Sequence, residues 1–372
     1  MTGRVIPLGR IAGIPIRLDS SWFLIFALVT WTLAAGYYPA EFKGWPRWEY
    51  WMIGAVTAIM FFISVVLHEL SHSLVARHFG TSVQSITLFI FGGVSRLGGG
   101  PASATRELLI AAAGPAASLL LAAVFGVLEP AASALAPALA LLRYLAYINL
   151  MLGLFNLIPG FPLDGGRVFR AIVWGVTHDM DRATRVAGTV GRVVGYLFVL
   201  FGVWQILGGN FINGLWISFI GWFLENAAMS EMQGQAVLEI LTGHKVREAM
   251  RPDYTSVPAD RTLQQLVDGH VLVHGQRSFL VERDGRVVGL LTLHGITRQP
   301  RPSWPTVRAE DVMIPRTKMR TTRRDADLRD VLEHMDRDGV NQLPVIENSH
   351  PLGMVSREDI IGFLRDHVVS HR

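Results

Sequence analysis

Two histidines and a glutamate lie within five residues of each other, at a spacing suited to holding a metal ion. The segment reads His68-Glu69-Leu70-Ser71-His72, an H-E-x-x-H pattern. Residues four apart share one face of a helix, so both imidazoles could bind one Zn²⁺, with Glu69 beside them as a proton acceptor. Because the chain has no cysteine, a zinc site must use His, Asp or Glu ligands.

The alternative interpretation of this pattern is a surface helix that carries two solvated histidines. The flanking residues are Val, Leu, Ile and Phe, as in a helix that crosses a membrane. An ionisable side chain at the centre of a bilayer costs about 2.5–3.5 kcal/mol even on the milder scales. Three such side chains close together need a common partner, and this requirement favours the metal site.

The third protein ligand must come from elsewhere in the chain, and Asp164 is the best candidate. Pro159 and Pro162 precede it and end a helix, while glycines at 160, 165 and 166 permit an irregular backbone. Irregular backbone at membrane depth survives only against protein or a water-filled cavity. An ordinary cytoplasmic loop with a solvated aspartate is the alternative, and the spacing alone leaves both open.

The composition divides the chain into two parts. Half of the 372 residues are hydrophobic and 17% are charged, compared with about 25% charged in soluble domains. The first 244 residues hold 26 charged side chains and the last 128 hold 38. We therefore expect a membrane domain followed by a water-soluble domain. The net charge of +4 does not indicate a nucleic-acid partner.

Six apolar stretches in the first part are candidates for membrane-spanning helices. They cover residues 20–38, 51–76, 108–128, 138–158, 190–207 and 211–228. Most arginines of this part fall on one side of the membrane in that arrangement, and the positive-inside rule makes this side cytoplasmic. Both termini are then expected in the cytoplasm.

The order of these motifs resembles that of the site-2 protease family of intramembrane zinc metalloproteases. The resemblance rests on His68-Glu69-Leu70-Ser71-His72 within a span and on Asn156-x-x-Pro159-x-x-x-Leu163-Asp164-Gly165 after the fourth span. It implies that His68, His72 and Asp164 bind one Zn²⁺ per chain and that Glu69 is the catalytic base. It also suggests that Asn156 contacts the substrate; a helix cap or an interhelical hydrogen bond is an equal alternative for Asn156.

Two further segments of the first part fit the resemblance. The stretch 83–97 is rich in β-branched and aromatic residues and contains a glycine pair, which predicts a membrane-associated β-hairpin. Phe91, Gly92 and Gly93 would contact substrate there. The alternative is a structural hairpin that covers the cytoplasmic opening of the membrane domain. Gly114 and Ser118 match a G-x-x-x-S motif of the family, and their spacing favours close helix packing over a catalytic role.

The second part contains an internal repeat with an offset of 63 residues. Val246-Arg-Glu-Ala-Met250-Arg-Pro252 matches Ala309-Glu-Asp-Val-Met313-Ile-Pro315, and each copy continues with a helix and a strand pair. This order resembles a tandem pair of cystathionine-β-synthase (CBS) domains, an α/β fold. We expect a protease domain at 1–228, a linker at 229–244, and CBS domains at 245–300 and 308–372.

The resemblance to CBS pairs implies a site for an adenine nucleotide (ATP, ADP or AMP) and association into a homodimer. The ribose-binding pattern appears in the second copy as Ser356-Arg-Glu-Asp359, whereas Thr292-Leu-His-Gly295 in the first copy lacks the acid. At most one well-formed nucleotide site is therefore expected. The alternative for Asp359 is an acidic residue that interacts favourably with a helix N-terminus.

These features predict a polytopic α-helical membrane protein with a soluble CBS pair, in a prokaryotic cell membrane. Its expected function is intramembrane zinc endopeptidase activity on a transmembrane segment of a membrane-tethered regulator, such as an anti-sigma factor. A CBS-regulated ion channel or metal transporter is the main rival. It is less favoured because the polar residues concentrate at 68–72 and 156–164, whereas an ion path needs them along several spans. The presence of Glu69 disfavours an inactive protease scaffold.

Overall fold

The computed structural model describes residues 5–90, 92–98, 102–271, 276–347 and 350–370. The chain forms two compact units, Met1–Ala236 and Val237–Arg372. The division falls inside a helix that runs without a break from Phe211 to Leu241. The predicted linker residues up to Leu241 are therefore helical.

The first unit is built from helices that are mostly long and apolar. They are α1 (Trp22–Thr32), α2 (Tyr38–Glu41), α3 (Arg47–His78), α4 (Ala104–Leu128), α5 (Ala136–Asn156), α6 (Asp164–Thr177), α7 (Met180–Leu207) and α8 (Phe211–Leu241). A π-helical turn, Leu33–Tyr37, joins α1 to α2. Helix α4 packs against α3, α5 and α6, so it lies at the centre of this unit.

Five helical segments in the described part of the chain are long and apolar enough to cross a membrane. They are Trp22–Glu41, Arg47–His78, Ala104–Leu128, Ala136–Asn156 and Met180–Leu207. Helix α8 has 31 residues but is not among the five. Its apolar N-terminal part is followed by Glu225, Glu231 and Glu239, so only one portion of this helix has the composition of a span.

A four-stranded sheet accompanies the helices of the first unit. Its strands are β1 (Val5–Ile11), β2 (Ile14–Asp19), β3 (Ser82–Phe89) and β4 (Gly92–Gly98), in the order β1-β2-β3-β4. The pair β3–β4 is antiparallel, in the segment where the sequence predicts a hairpin. Strand β2 adds to it in parallel, and Ile14, Ile16 and Ile86 bury their side chains together with Leu70 of α3.

The hairpin formed by β1 and β2 is an element that the sequence interpretation missed. Its turn consists of Ala12 and Gly13, both with positive φ, the conformation of a two-residue hairpin turn. The side chain of Arg77, at the end of α3, donates a hydrogen bond to the carbonyl oxygen of Ala12. The turn is thereby attached to the second candidate span.

The second unit contains two similar α/β halves with separate hydrophobic cores. Its helices are α9 (Val246–Ala249), α10 (Leu263–Leu266), α11 (Leu293–Thr297), α12 (Ala309–Val312), α13 (Leu328–Asp338) and α14 (Arg357–Ser370). Its strands are β5 (Ser256–Pro258), β6 (Ser278–Arg283), β7 (Arg286–Thr292), β8 (Ile314–Pro315), β9 (Gln342–Glu347) and β10 (His350–Ser356). The sheets have the orders β5-β6-β7-β8 and β10-β9. Leu263 and Phe279 lie in one core, and Leu328 and Val345 in the other.

Candidate metal centre

Two turns of α3 and the first residue of α6 bring together three side chains that could bind one metal ion. The Nε2 atoms of His68 and His72 lie 3.0 and 3.1 Å from Oδ2 of Asp164, and 3.3 Å from each other. Both histidines are buried, and the side chain of Asp164 is 14% exposed. Among the residues that the structure describes, this is the only such cluster of three possible ligands.

The opposite nitrogen of each imidazole is engaged by α4. Nδ1 of His68 lies 2.9 Å from the hydroxyl oxygen of Ser118, and Nδ1 of His72 lies 2.6 Å from the carbonyl oxygen of Ile110. A carbonyl oxygen only accepts hydrogen bonds, so Nδ1 of His72 carries a proton. The lone pair of His72 is then on Nε2, the atom that faces Asp164, and is available to a metal. Histidines that bind a metal usually donate their other ring N–H to a second group in this way.

Gly114 of α4 faces both imidazoles, and the site has no room for a larger residue there. A Cβ atom at this position would lie 2.6 Å from Nε2 of His68 and would overlap Nε2 of His72. Real Cβ atoms essentially never approach other heavy atoms so closely. The glycine therefore leaves free the space in front of both Nε2 atoms.

The loop that presents Asp164 packs against α7 through glycines. A Cβ atom on Gly160 would lie 2.5 Å from the Cα atom of Gly191, and one on Gly191 would lie 2.6 Å from the carbonyl oxygen of Phe161. Gly165 and Gly166 contact the backbone of the same loop just as closely. These contacts hold the start of α6 at one position relative to its neighbours.

Glu69 lies next to the cluster and is held by strand β4. The hydroxyl of Ser95 donates a hydrogen bond of 2.8 Å to Oε2 of Glu69, and the hydroxyl of Ser73 lies 3.2 Å from that of Ser95. Gly93 also packs against this side chain, because a Cβ atom there would lie 2.5 Å from Cγ of Glu69. The glutamate is thus fixed at one carboxylate oxygen.

The donor atoms of the cluster fit a zinc ion. Ligands about 2.0–2.1 Å from zinc at tetrahedral angles lie about 3.3 Å from one another. The three observed separations of 3.0, 3.1 and 3.3 Å are close to this value. Two imidazole nitrogens and one carboxylate oxygen leave one of four positions open, as in catalytic zinc sites.

The predicted substrate-binding residues are only partly gathered at the cluster. Gly93 contacts Glu69, and Gly92 begins β4 with a φ of 126°. Phe91 lies outside the described residues. Asn156 is the last residue of α5, and its side-chain amide donates a 3.0 Å hydrogen bond to the carbonyl oxygen of Leu152 in the preceding turn. A role for these residues in substrate binding stays a prediction.

The predicted nucleotide-binding residues lie at the start of α14 in the second unit. Oδ2 of Asp359 accepts hydrogen bonds from the backbone nitrogen of Ser356, at 2.9 Å, and from its hydroxyl, at 2.6 Å. The guanidinium of Arg251 forms a salt bridge with Oδ1 of Asp359. Both carboxylate oxygens are therefore engaged by protein groups.

The cluster of His68, His72 and Asp164 lies within apolar helices and fits a metal site in a membrane protein. The model of peptidase family M50 matches residues 56–133 and 124–201, and the CBS domain model matches residues 246–300 and 309–366. The chain belongs to peptidase family M50 and carries two CBS domains. It is a membrane metalloprotease of the site-2 protease type.

Similar proteins cover nearly the whole chain. The protein named zinc metalloprotease Rip3 of Mycobacterium tuberculosis is 36% identical over 95% of this chain and 91% of its own length. A protein of Synechocystis sp., also named as a zinc metalloprotease, is 34% identical over 97% of this chain and 95% of its own. A solved site-2 protease from Methanocaldococcus jannaschii is 31% identical, with a TM-score of 0.43, and covers 62% of this chain and 95% of that one. The family match and the two named metalloproteases confirm the metalloprotease interpretation over a channel or transporter.

Replacing Gly114 with alanine should weaken zinc binding by the purified chain. The added methyl group would occupy the space in front of both Nε2 atoms, so we expect zinc binding to weaken at least about tenfold. Zinc content measured by atomic absorption after dialysis against a weak chelator checks this. Gly126→Ala is the matched control in the same helix, since a Cβ atom there meets nothing within 4 Å. Full zinc content in Gly114→Ala would contradict the assigned geometry.

Proposed function

We propose that this protein is an intramembrane zinc endopeptidase that cleaves a transmembrane segment of another protein. The observation that carries the proposal is the convergence of His68, His72 and Asp164 within apolar helices, with Glu69 beside them. Three ionisable groups in such surroundings are stable when they share a cation. The family and the relatives support the protease activity. We infer that the substrate is a transmembrane segment because the site lies within helices that are long and apolar enough to cross a membrane.

Each side chain of the site has a separate role in this proposal. His68, His72 and Asp164 hold the zinc ion, with Ser118 and the carbonyl of Ile110 orienting the two imidazoles. When bound, zinc supplies a Lewis acid that polarises the scissile carbonyl and makes water more acidic. Glu69 accepts the proton of the attacking water at its carboxylate and passes it to the leaving amine. The hydroxyl of Ser95 donates a hydrogen bond to Oε2 of Glu69 and so holds the carboxylate in place.

Cleavage is expected in the cytoplasmic half of the substrate's helix. His68 precedes Arg77 by nine residues, so the site lies about 13 Å from the end of its helix at a rise of about 1.5 Å per residue. The amides of a substrate helix are hidden by their own hydrogen bonds, and the helix must unwind locally before attack. A transmembrane segment with helix-breaking residues near its cytoplasmic end suits this requirement.

Strand β4 is suited to hold the unwound substrate. It is the last strand in the order β1-β2-β3-β4, and an edge strand can pair with an added peptide. Because Gly93 and Ser95 of this strand contact Glu69, a substrate strand along β4 would pass next to the proton acceptor. We propose that the glycines at 92 and 93, with Phe91, contact the substrate here and that Asn156 contacts it near the scissile bond.

We propose six spans, the five apolar segments and the N-terminal part of α8, with both termini in the cytoplasm of a prokaryotic cell. The arginine distribution supports an even number of spans and a CBS pair in the cytoplasm. A cytoplasmic CBS pair could then report the nucleotide level to the protease. Membrane-tethered regulators such as anti-sigma factors are the substrate class that suits such control. The CBS pair would also form the interface of a homodimer.

Nucleotide binding would have to release the carboxylate of Asp359. We propose that the phosphates of ATP, ADP or AMP attract the guanidinium of Arg251, whose side chain is 67% exposed. The Oδ1 atom of Asp359 would then accept hydrogen bonds from the ribose hydroxyls, while Ser356 retains its bonds to Oδ2. The first copy, which has Gly295 in place of the acid, would leave one site per chain.

The substitution Glu69→Gln should separate metal binding from catalysis. The amide keeps the size of the side chain but cannot accept the proton, so we expect about 100-fold or greater loss of cleavage with one zinc retained per chain. Cleavage of transmembrane peptides in nanodiscs and zinc analysis of the same samples check this. Ser71→Ala, on the same helix, removes a hydroxyl that donates to the carbonyl oxygen of Leu67; it is the control and should cleave normally. Equal cleavage by wild type and Glu69→Gln would refute this role.

Calorimetric titration of the full chain with ATP, ADP and AMP should detect one nucleotide site. Asp359→Asn should weaken binding about tenfold or more, because the ribose would lose a charged acceptor. Asp284→Asn, at the exposed turn between β6 and β7, is the control and should bind as the wild type does. The absence of heat with all three nucleotides would rule out this proposal and leave the protease activity untouched.

A further inference from the structure

A buried ion pair joins α4 to α6. It lies away from the three candidate ligands, further along each of the two helices. Glu107 of α4 is fully buried, and Arg170 of α6 is 5% exposed. Nε of Arg170 donates a 2.8 Å hydrogen bond to Oε1 of Glu107, and its Nη2 contacts the same oxygen. Burying two charges is costly, and such a pair contributes little net stability compared with apolar residues. Its presence therefore suggests a role other than stability.

Arg170 also contacts the loop that precedes Asp164. Its guanidinium lies 5.0 Å from the ring centroid of Phe161, within the range of a cation–π interaction. Its Nη1 atom lies 3.7 Å from Oε1 of Glu231 on α8. One side chain thus links α4, α8 and the loop at 157–163, and a planar guanidinium does this with fixed directions.

The ion pair and the three candidate ligands are connected through the same two helices. On α6, Arg170 follows Asp164 by six residues, which is less than two helical turns. On α4, Glu107 lies seven residues before Gly114, the residue that faces the histidines, so these two share one stripe of α4. Because Arg170 binds Glu107, the ion pair fixes the position of α6 along α4, and that position sets where Oδ2 of Asp164 lies relative to the histidines.

We infer that Arg170 and Glu107 are positioning residues that place Asp164 against His68 and His72. The inference rests on the proposed role of Asp164 as a zinc ligand. Arg167 supports the pair from 3.9 Å. Neither Arg170 nor Glu107 touches the ligand atoms, so they act through the position of α6 along α4. A shift of α6 should weaken zinc binding, as does the loss of groups that hydrogen-bond to metal ligands in other sites.

The variant Arg170→Met in the full chain tests this inference. We expect the dissociation constant for Zn²⁺, measured by competition with a chromophoric chelator, to rise about 10- to 100-fold. At saturating zinc, kcat should fall while KM stays within about twofold, because Arg170 is buried between helices and is 5% exposed. Arg170→Lys keeps the charge and should recover part of the zinc affinity. Arg182→Met, at the exposed start of α7, is the control and should match the wild type.

A second variant separates positioning from folding. Arg170→Met leaves Glu107 buried without its partner and could unfold the chain, whereas Glu107→Leu with Arg170→Met removes both charges. We expect the double variant to regain thermal stability but to keep the weakened zinc binding. Wild-type zinc affinity in the double variant would overturn the inference. If Asp164→Ala also binds zinc as the wild type does, the proposed ligand set itself is wrong, and this outcome is distinct from a failure of the positioning role alone.

Discussion

The structure depends on the placement of three ionisable side chains within apolar helices. His68, His72 and Asp164 have little access to water, and their ligand atoms lie within 3.3 Å of one another. Without a shared partner this arrangement would be expensive in a membrane, and with a divalent cation it becomes favourable. The neighbouring glycines, hydroxyls and carbonyls are arranged around this requirement. Three such ligands would leave a fourth position of a zinc ion open, as a catalytic zinc site requires and a structural one does not.

Helix α4 organises the site although it carries none of the three candidate ligands. Its Ile110 carbonyl and Ser118 hydroxyl orient the imidazoles, and its Gly114 leaves room in front of them. Its Glu107 binds Arg170 of the helix that begins with Asp164. One helix therefore sets the tautomer of His72, orients the ring of His68 and fixes the helix that carries Asp164. Strand β4 has the corresponding role for Glu69 through Ser95 and Gly93.

Local motifs of the site could be predicted from the sequence, and contacts between distant segments could not. The H-E-x-x-H spacing places His68 and His72 on one helix face, because that geometry is a property of the helix itself. The packing interpretation of Gly114 and Ser118 was incomplete, since only the fold shows that both face the histidines. The N-terminal hairpin was missed because its exposed strand β1 has no clear alternation and contains Pro7 and Gly9. The salt bridge of Arg251 with Asp359 joins residues 108 apart, and no local pattern indicates it.

X-ray absorption at the zinc K-edge of the full purified chain tests the central claim most directly. The account predicts one zinc per chain, with nitrogen and oxygen ligands at about 2.0–2.2 Å and the multiple scattering of two imidazoles. The same spectrum should lose one imidazole contribution in His72→Ala. A chain that cleaves its substrate without zinc, or a spectrum without imidazole scattering, would contradict the account.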